Sequence, residues 1–384
     1  MEAIALRQNG KTNLLKQIFA DHWPSFMDRY WHRIRDSVFE NVDKMLRCGT
    51  ASLCSLVCPD CGFARAIPMT CKSRFCSSCG HKATNNWIHQ SIETFLKAPY
   101  QHITFTIPEQ LRLLARTNRR IVFNIMFQAA KNTVLETCKI LGYRPGIMTV
   151  MHTFGKDLKF HPHIHLVVTC GGLSPDRTQW RTKSYLPHQV LKKKWKYHVT
   201  RLLRRAHKKG LLQLKSKNSP DSSRFNDFLD ELYERFPVWY VNLQKPLDSH
   251  TIVVSYVARY AKRPAIAISR IRVYDGWHVS LDIREKSTGR HETCKLDVME
   301  FIGRVVTHIH DKHFRVVRYA GLFATRCRKT LLPLARTLLK MAAAAPWICP
   351  NWKQLIIRTF HFDPTRCPRC HQSMDYMREV WNTS

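Results

Sequence analysis

The sequence predicts an α+β protein: an antiparallel β-sheet flanked by helices, preceded by a helical segment and a small zinc-binding module. Three observations predict it. Strand-like runs with period-2 alternation are interspersed with helical periodicity rather than strictly alternating with it. An Asp-Gly turn sits inside "RIRVYDGWHVSLDIRE" (Arg270–Glu285), as in a hairpin. Seven cysteines, Cys48, Cys54, Cys58, Cys61, Cys71, Cys76 and Cys79, fall within 32 residues.

In chain order, Thr12–Cys48 reads as helical, with Ile18, Phe26, Ile34, Phe39, Val42 and Leu46 spaced by one or two turns. The cysteine segment follows and ends near His81. "YQHITFTIP" (Tyr100–Pro108) alternates like a strand and Pro108 closes it. Leu111–Leu141 reads as a helix. "GIMTVMHTFG" (Gly146–Gly155) and "HPHIHLVVTCGG" (His161–Gly172) read as two further strands, and Pro187–Lys209 as a basic helix. Lys215–Asp227 is polar and loop-like, Val238–Gln244 strand-like and Thr251–Arg263 helical.

The charge is the outlier of the composition. Lys and Arg number 62 against 28 Asp and Glu, a net of +34 over 384 residues, which favours a polyanionic partner. No apolar stretch approaches the ~18–20 residues of a membrane-spanning helix, and the N-terminus lacks a signal core, so a cytosolic protein is expected. "NGKT" (Asn9–Thr12) resembles a phosphate loop, but Ala5 stands where the first glycine belongs, so no nucleotide cofactor is expected.

"CPDC" (Cys58–Cys61) and "CSSC" (Cys76–Cys79) are separated by fourteen residues. Each pair presents two thiolates to one tetrahedral ion, so Cys58, Cys61, Cys76 and Cys79 are expected to close a structural Zn²⁺ site. Cys48, Cys54, Cys71 and His81 are alternative ligands. "CPRCH" supplies a half-site, Cys367 and Cys370, for a second zinc, with His361, Cys349 or His371 to complete it.

On a strand, His161, His163 and His165 share one face. Satisfying several buried ring nitrogens is costly unless a metal accepts their lone pairs. His152 lies eleven residues before His163, and Gly155, Lys156 and Asp157 offer a turn between them. A hairpin would bring His152 beside His163 and His165, leaving the open coordination of a catalytic ion. Downstream, Tyr256 and Tyr260 share a face if helical. A phenol with pKa ~10 needs a metal or cations to act as a nucleophile, and Arg259, Lys262 and Arg263 supply charge beside it.

The order of cysteine module, "MHTFGKDLKFHPHIHLVV" and "YVARYAKRPAIAISR" resembles the two-tyrosine HUH transposases of the insertion-sequence ninety-one family, which move DNA by a rolling-circle route. The resemblance covers roughly residues 15–375. It implies an HUH-nuclease-like sheet, with His163 and His165 as metal ligands, His152 as the third and His161 in reserve. It also implies Mg²⁺ or Mn²⁺ as catalytic ion and Tyr256 and Tyr260 as nucleophiles. The implied activity nicks one strand at an element end, leaves its 5′ end on tyrosine and transfers it to target DNA in the bacterial cytoplasm, at the nucleoid. The domains expected are a helical and zinc-binding recognition domain (1–95), an HUH nuclease domain (96–275) and a C-terminal domain with the second knuckle (276–384).

Outside the catalytic pair, "LKKKWKYHVTRLLRRAHKKG" places Leu191, Trp195, Val199, Leu202 and Ala206 on one stripe. Lys192, Lys193, Lys196, Arg204, Arg205, Lys208 and Lys209 lie mostly elsewhere and are expected to contact phosphates. The rival readings are a plasmid replication initiator or relaxase with the same chemistry, a metal-dependent hydrolase, and a non-catalytic zinc-finger DNA-binding protein. The hydrolase leaves the charge unexplained, and the last leaves the histidine strand idle.

Overall fold

The alternation in the two histidine-bearing segments builds the centre of the sheet. In the computed structural model, residues 13–50, 52–183, 185–214, 222–248, 265–284, 291–342, 348 and 350–381 are described. The chain starts with α1 (Leu14–Tyr30), whose first turn is capped by the Asn13 side chain accepting from the Lys16 amide at 3.2 Å, and α2 (Asp36–Leu46). The hairpin β1 (Ser52–Val57) and β2 (Ala64–Pro68) and the helix α3 (Ser77–Thr94) complete the cysteine-rich segment.

Next come β3 (Tyr100–Thr106), α4 (Arg112–Thr117), α5 (Arg119–Ile140), β4 (Gly146–Phe154) and β5 (Phe160–Thr169). The single helix expected over Leu111–Leu141 is interrupted at Asn118. Its side chain donates to the Gln213 carbonyl at 2.9 Å and accepts from the Gln213 amide at 2.7 Å, a two-point tie to a distant segment that holds it outside helical geometry. A short hairpin, β6 (Gly171–Leu173) and β7 (Trp180–Thr182), leads to α6 (His188–Lys208), α7 (Phe225–Arg235) and β8 (Val241–Leu243).

The main sheet then takes β12 (Val317–Gly321) on its far edge, in the order β12-β4-β5-β3-β8, with every neighbouring pair antiparallel. β5 is the central strand. Its Ile164, Leu166 and Val168 face Ile103, Phe105, Ile147 and Met151 and the apolar stripes of α5 and α6; Phe105 lies 5.0 Å from the Trp195 ring. The same alternation turns His163 and His165 to the opposite face.

A second sheet, β9 (Ile271–Tyr274), β10 (His278–Arg284) and β11 (His291–Asp297), contains the hairpin expected at Asp275-Gly276, where Gly276 takes φ 92. It packs with α1 and α8 (Val298–Thr307) on a separate apolar cluster. After α9 (Leu331–Leu338) and α10 (Trp352–Phe360), the last strand, β13 (Asp375–Trp381), pairs antiparallel with β1. The third sheet, β13-β1-β2, thus joins residues expected in the N-terminal domain to residues expected in the C-terminal one. The α+β class with antiparallel sheets is the class observed. No described helix is long and apolar enough to cross a membrane.

Candidate metal centre and cysteine clusters

The register of β4 and β5 sets the histidine centre. His152 stands directly opposite His163, and Val150 opposite His165, so the three imidazoles share one face. One ligand nitrogen from each of His152, His163 and His165 falls within 4.8 Å of the others, and all three residues are buried. His152 Nδ1 lies 2.9 Å from His163 Nε2. Burial holds His152 well below the ordinary histidine range, and the neighbouring His163 and His165 lower it further, so at neutral pH it offers a lone pair and not a charge.

The surrounding hydrogen bonds orient these rings. His163 Nδ1–H donates to the His161 carbonyl at 2.7 Å, which leaves Nε2 as the lone pair facing the cluster. His161 therefore contributes its backbone; its half-buried ring is outside the cluster, and the reserve ligand role expected for it is not what the geometry provides. His165 Nδ1 lies 2.9 Å from His102 Nε2 on β3. His102 does not stand out in the sequence by any metal-ligand spacing. Its signal is the alternation of "YQHITFTIP", which puts His102, Thr104 and Thr106 on the face of His163 and His165. Three buried imidazoles with backbone and imidazole partners behind them suit a divalent ion with open positions.

His308, after α8, is 7% exposed; Nε2 donates to the Leu158 carbonyl at 2.8 Å and Nδ1 accepts from the Thr153 hydroxyl at 3.1 Å. Burial lowers its pKa to about 4, although the Leu158 carbonyl favours the charged form. The unfolded imidazole protonates near ~6.5, so unfolding takes up a proton between that pH and about 4. Stability should fall as pH drops through that window, by up to about 3 kcal/mol from this group. Urea titrations at pH 7 and pH 4.5 check this: His308→Gln should lose that part of the pH dependence, and an unaltered dependence would remove His308 as its source.

The cysteines sort differently from the expectation. Cys58 and Cys61 gather with Cys367 and Cys370, whereas Cys76 and Cys79 gather with Cys48 and Cys71. The two CxxC pairs of the N-terminal segment thus face different partners, and a single site of Cys58, Cys61, Cys76 and Cys79 is corrected to two four-thiol clusters. The reason is local geometry. "CPDC" closes as a turn on Gly62 (φ 70), and "CPRC" closes the same way on His371 (φ 60). "CSSC" instead caps and enters α3, where its thiols meet Cys48 from the end of α2 and Cys71 from the loop before α3.

In the first cluster the Sγ atoms of Cys48 and Cys79 are 3.7 Å apart and those of Cys76 and Cys48 3.6 Å. In the second, Cys58–Cys370 is 3.4 Å, Cys61–Cys367 3.5 Å and Cys61–Cys370 3.6 Å. These separations are far longer than a disulfide and close to the ~3.8 Å tetrahedron edge set by a ~2.3 Å Zn–S bond. Hydrogen bonds from the Cys48, Cys71 and Cys76 thiols favour the Cys79 thiolate, while the contact with Cys48 is the main cause that pushes Cys71 and Cys76 up. A dication resolves that crowding by accepting all the thiolates. Both clusters fit Zn²⁺. Cys54, His81 and His361 belong to neither, and Cys349 lies outside the described residues.

Tyr256, Tyr260, Arg259, Lys262 and Arg263 also lie outside the described residues. On α6 the stripe of Leu191, Trp195, Val199, Leu202 and Ala206 is buried as expected from its spacing. Lys193, Arg205, Lys208 and Lys209 are exposed and Lys192 partly so. Lys196 is a correction: it is 6% exposed, with Nζ 3.7 Å from the centre of the Tyr233 ring, so it is a packing residue. Arg204 is engaged by Asp230 of α7 at 3.2 Å from Nη1.

The family described as "Transposase zinc-binding domain" (Zn_Tnp_IS91) matches residues 18–107, and the family described as "Putative transposase" (Y2_Tnp) matches residues 146–330. The chain is 31% identical over 358 residues to the "Transposase for insertion sequence element IS801" of Pseudomonas savastanoi pv. phaseolicola, covering 90% of this chain and 85% of that protein. It is 30% identical over 353 residues to "Putative transposase y4qJ" of Sinorhizobium fredii, covering 87% of each. The chain belongs to the IS91-type transposase family. In this transposase, the zinc-binding match contains all four thiols of the first cluster but only Cys58 and Cys61 of the second. Cys367 and Cys370 lie beyond both matched regions. His152, His163 and His165 fall inside the transposase match, and His102 inside the zinc-binding one.

Proposed function

We propose that this transposase nicks single-stranded DNA at the ends of its element by metal-assisted tyrosine attack and passes the strand to a target through a 5′-phosphotyrosine intermediate. The observation that carries this reading is the cluster of His152, His163 and His165 on adjacent antiparallel strands. Mg²⁺ or Mn²⁺, when bound there, would polarise the scissile phosphodiester. The chain's own groups then act in order. His102 and the His161 carbonyl hold the imidazoles in place. The phenolate of Tyr256 or Tyr260 attacks phosphorus, an O–P bond forms, the bond to the 3′ oxygen breaks, and that oxygen leaves with a proton as a free hydroxyl. A target 3′-hydroxyl later attacks the phosphotyrosine, gives up its proton and restores the tyrosine, so no nucleotide hydrolysis is needed.

Two tyrosines suit two transfers, because one can attack while the other holds DNA. The net charge of +34 and the exposed cations of α6 favour retention of the strand's phosphates. Zinc in the cysteine clusters would shape the fold and not join the chemistry. The site of action is then nucleoid DNA in the bacterial cytoplasm. The test is a covalent adduct. With Mn²⁺ and a labelled single strand carrying an element end, the parent protein should form a protein–DNA species that survives denaturation. Tyr256→Phe/Tyr260→Phe should form none. Cleavage without an adduct would point to a hydrolase instead.

A further inference from the structure

The histidine centre borders a cavity of about 420 Å³. Most of its described wall comes from three distant stretches: Lys72, Arg74 and Phe75 between the cysteines of the first cluster, β4 with His152 and Phe154, and the segment from His308 to Val316 after α8; Asn41 and Ala265 add to it. The lining is cationic. Lys72, Arg74, Lys312 and Arg315 contribute charge, and Asp311, the one carboxylate among the described lining residues, is engaged by Arg35. Behind this wall, where Phe123 meets the lining Phe314 at 5.7 Å, Arg119 is 7% exposed and packed over the rings of Phe123 and Phe160 at 5.3 and 5.5 Å; its Nε and Nη2 have no hydrogen-bond partner among the described residues. Such a buried cation adds to a field that a neighbouring anion would relieve.

Shape agrees with charge. The volume lies within the ~300–1,000 Å³ of small-ligand sites, with room for a nucleotide and not for a duplex. Phe75, Phe154 and Phe314 add aromatic surface. Two lining residues, Lys72 (φ 56) and His313 (φ 62), hold left-handed backbone without being glycine, which costs roughly 1 kcal/mol or more and recurs at ligand clamps.

We propose that this cavity seats one nucleotide of the single strand beside the scissile phosphate, with its phosphate on the Arg74 and Arg315 side chains and its base against the aromatic wall. The proposal rests on the reading that the histidine centre acts on DNA, because His152 belongs to both sites. It gives the zinc-binding segment a second role. The first cysteine cluster fixes the loop that carries Lys72, Arg74 and Phe75, and so makes one base position part of element-end recognition.

The test uses the full chain in buffer without Mg²⁺ or Mn²⁺, and fluorescein-labelled single strands carrying an element end in which one abasic residue is walked along the sequence. One position should weaken binding about tenfold, within the loss expected of a stacked base. Arg74→Ala/Arg315→Ala changes exposed side chains and should keep the parent's melting temperature. It should bind the intact strand about tenfold more weakly, flatten the salt dependence by one to two phosphates' worth, and erase the abasic effect at that position. A uniform abasic profile, or a position-specific one untouched in the variant, would overturn the proposal. The two readings fail separately: a missing adduct with the abasic position intact rejects the chemistry, and an adduct with a uniform profile rejects the pocket.

Discussion

His163→Ala should lower strand nicking by at least about a thousandfold while leaving the far-ultraviolet circular dichroism unchanged. The magnitude follows from the role. A divalent ion on a phosphodiester contributes several kcal/mol to the transition state, and each ~1.4 kcal/mol is tenfold in rate. His163 is held on both sides: its Nε2 is 2.9 Å from His152 Nδ1, and its Nδ1 is fixed by the His161 carbonyl. His102→Ala should be milder, about 10–100-fold, with a matching rise in the Mn²⁺ concentration needed, because His102 only orients His165. Nicking assays across a Mn²⁺ titration separate the two. If His102→Ala lowers the rate without shifting the metal requirement, its part is not to orient a ligand.

Cys367→Ser/Cys370→Ser should halve the zinc content, from two ions per chain to one, and cost more than about 4 kcal/mol of stability. Cys48→Ser/Cys71→Ser should remove the other ion. A single site built from the two N-terminal CxxC pairs makes the opposite prediction, since neither double variant would then touch it. Elemental analysis of the purified chains, with thermal melting beside it, decides. The stability loss should be large because the second cluster ties chain segments about three hundred residues apart, together with the β1–β13 pairing. A zinc content unaffected by the Cys367 variant would show that the C-terminal knuckle is not a ligand pair.

Much of this is legible in the residues. The alternation of "GIMTVMHTFG" and "KFHPHIHLVV" sets two strands to within a residue or two, and the eleven-residue offset with a glycine turn places His152 opposite His163. The apolar stripe of α6 is equally plain, because a 3.6-residue period must bury one face. Lys196 escapes the pattern because a long lysine stem can lie inward over an aromatic ring, and the ring it covers, Tyr233, belongs to another helix. His102 is hidden for the same kind of reason, since only the pairing of β3 with β5 brings it to His165.

By itself, then, the sequence determined what period and spacing control: the strands, the shared face of the histidines, and which thiols form local pairs, because these follow from backbone geometry over a few residues. The tertiary structure alone decided which pairs meet. A CxxC turn specifies two corners of a tetrahedron and says nothing of the other two, which depend on the path of the chain. Here that path carries Cys367 and Cys370 back to Cys58 and Cys61, and leaves Cys76 and Cys79 to Cys48 and Cys71.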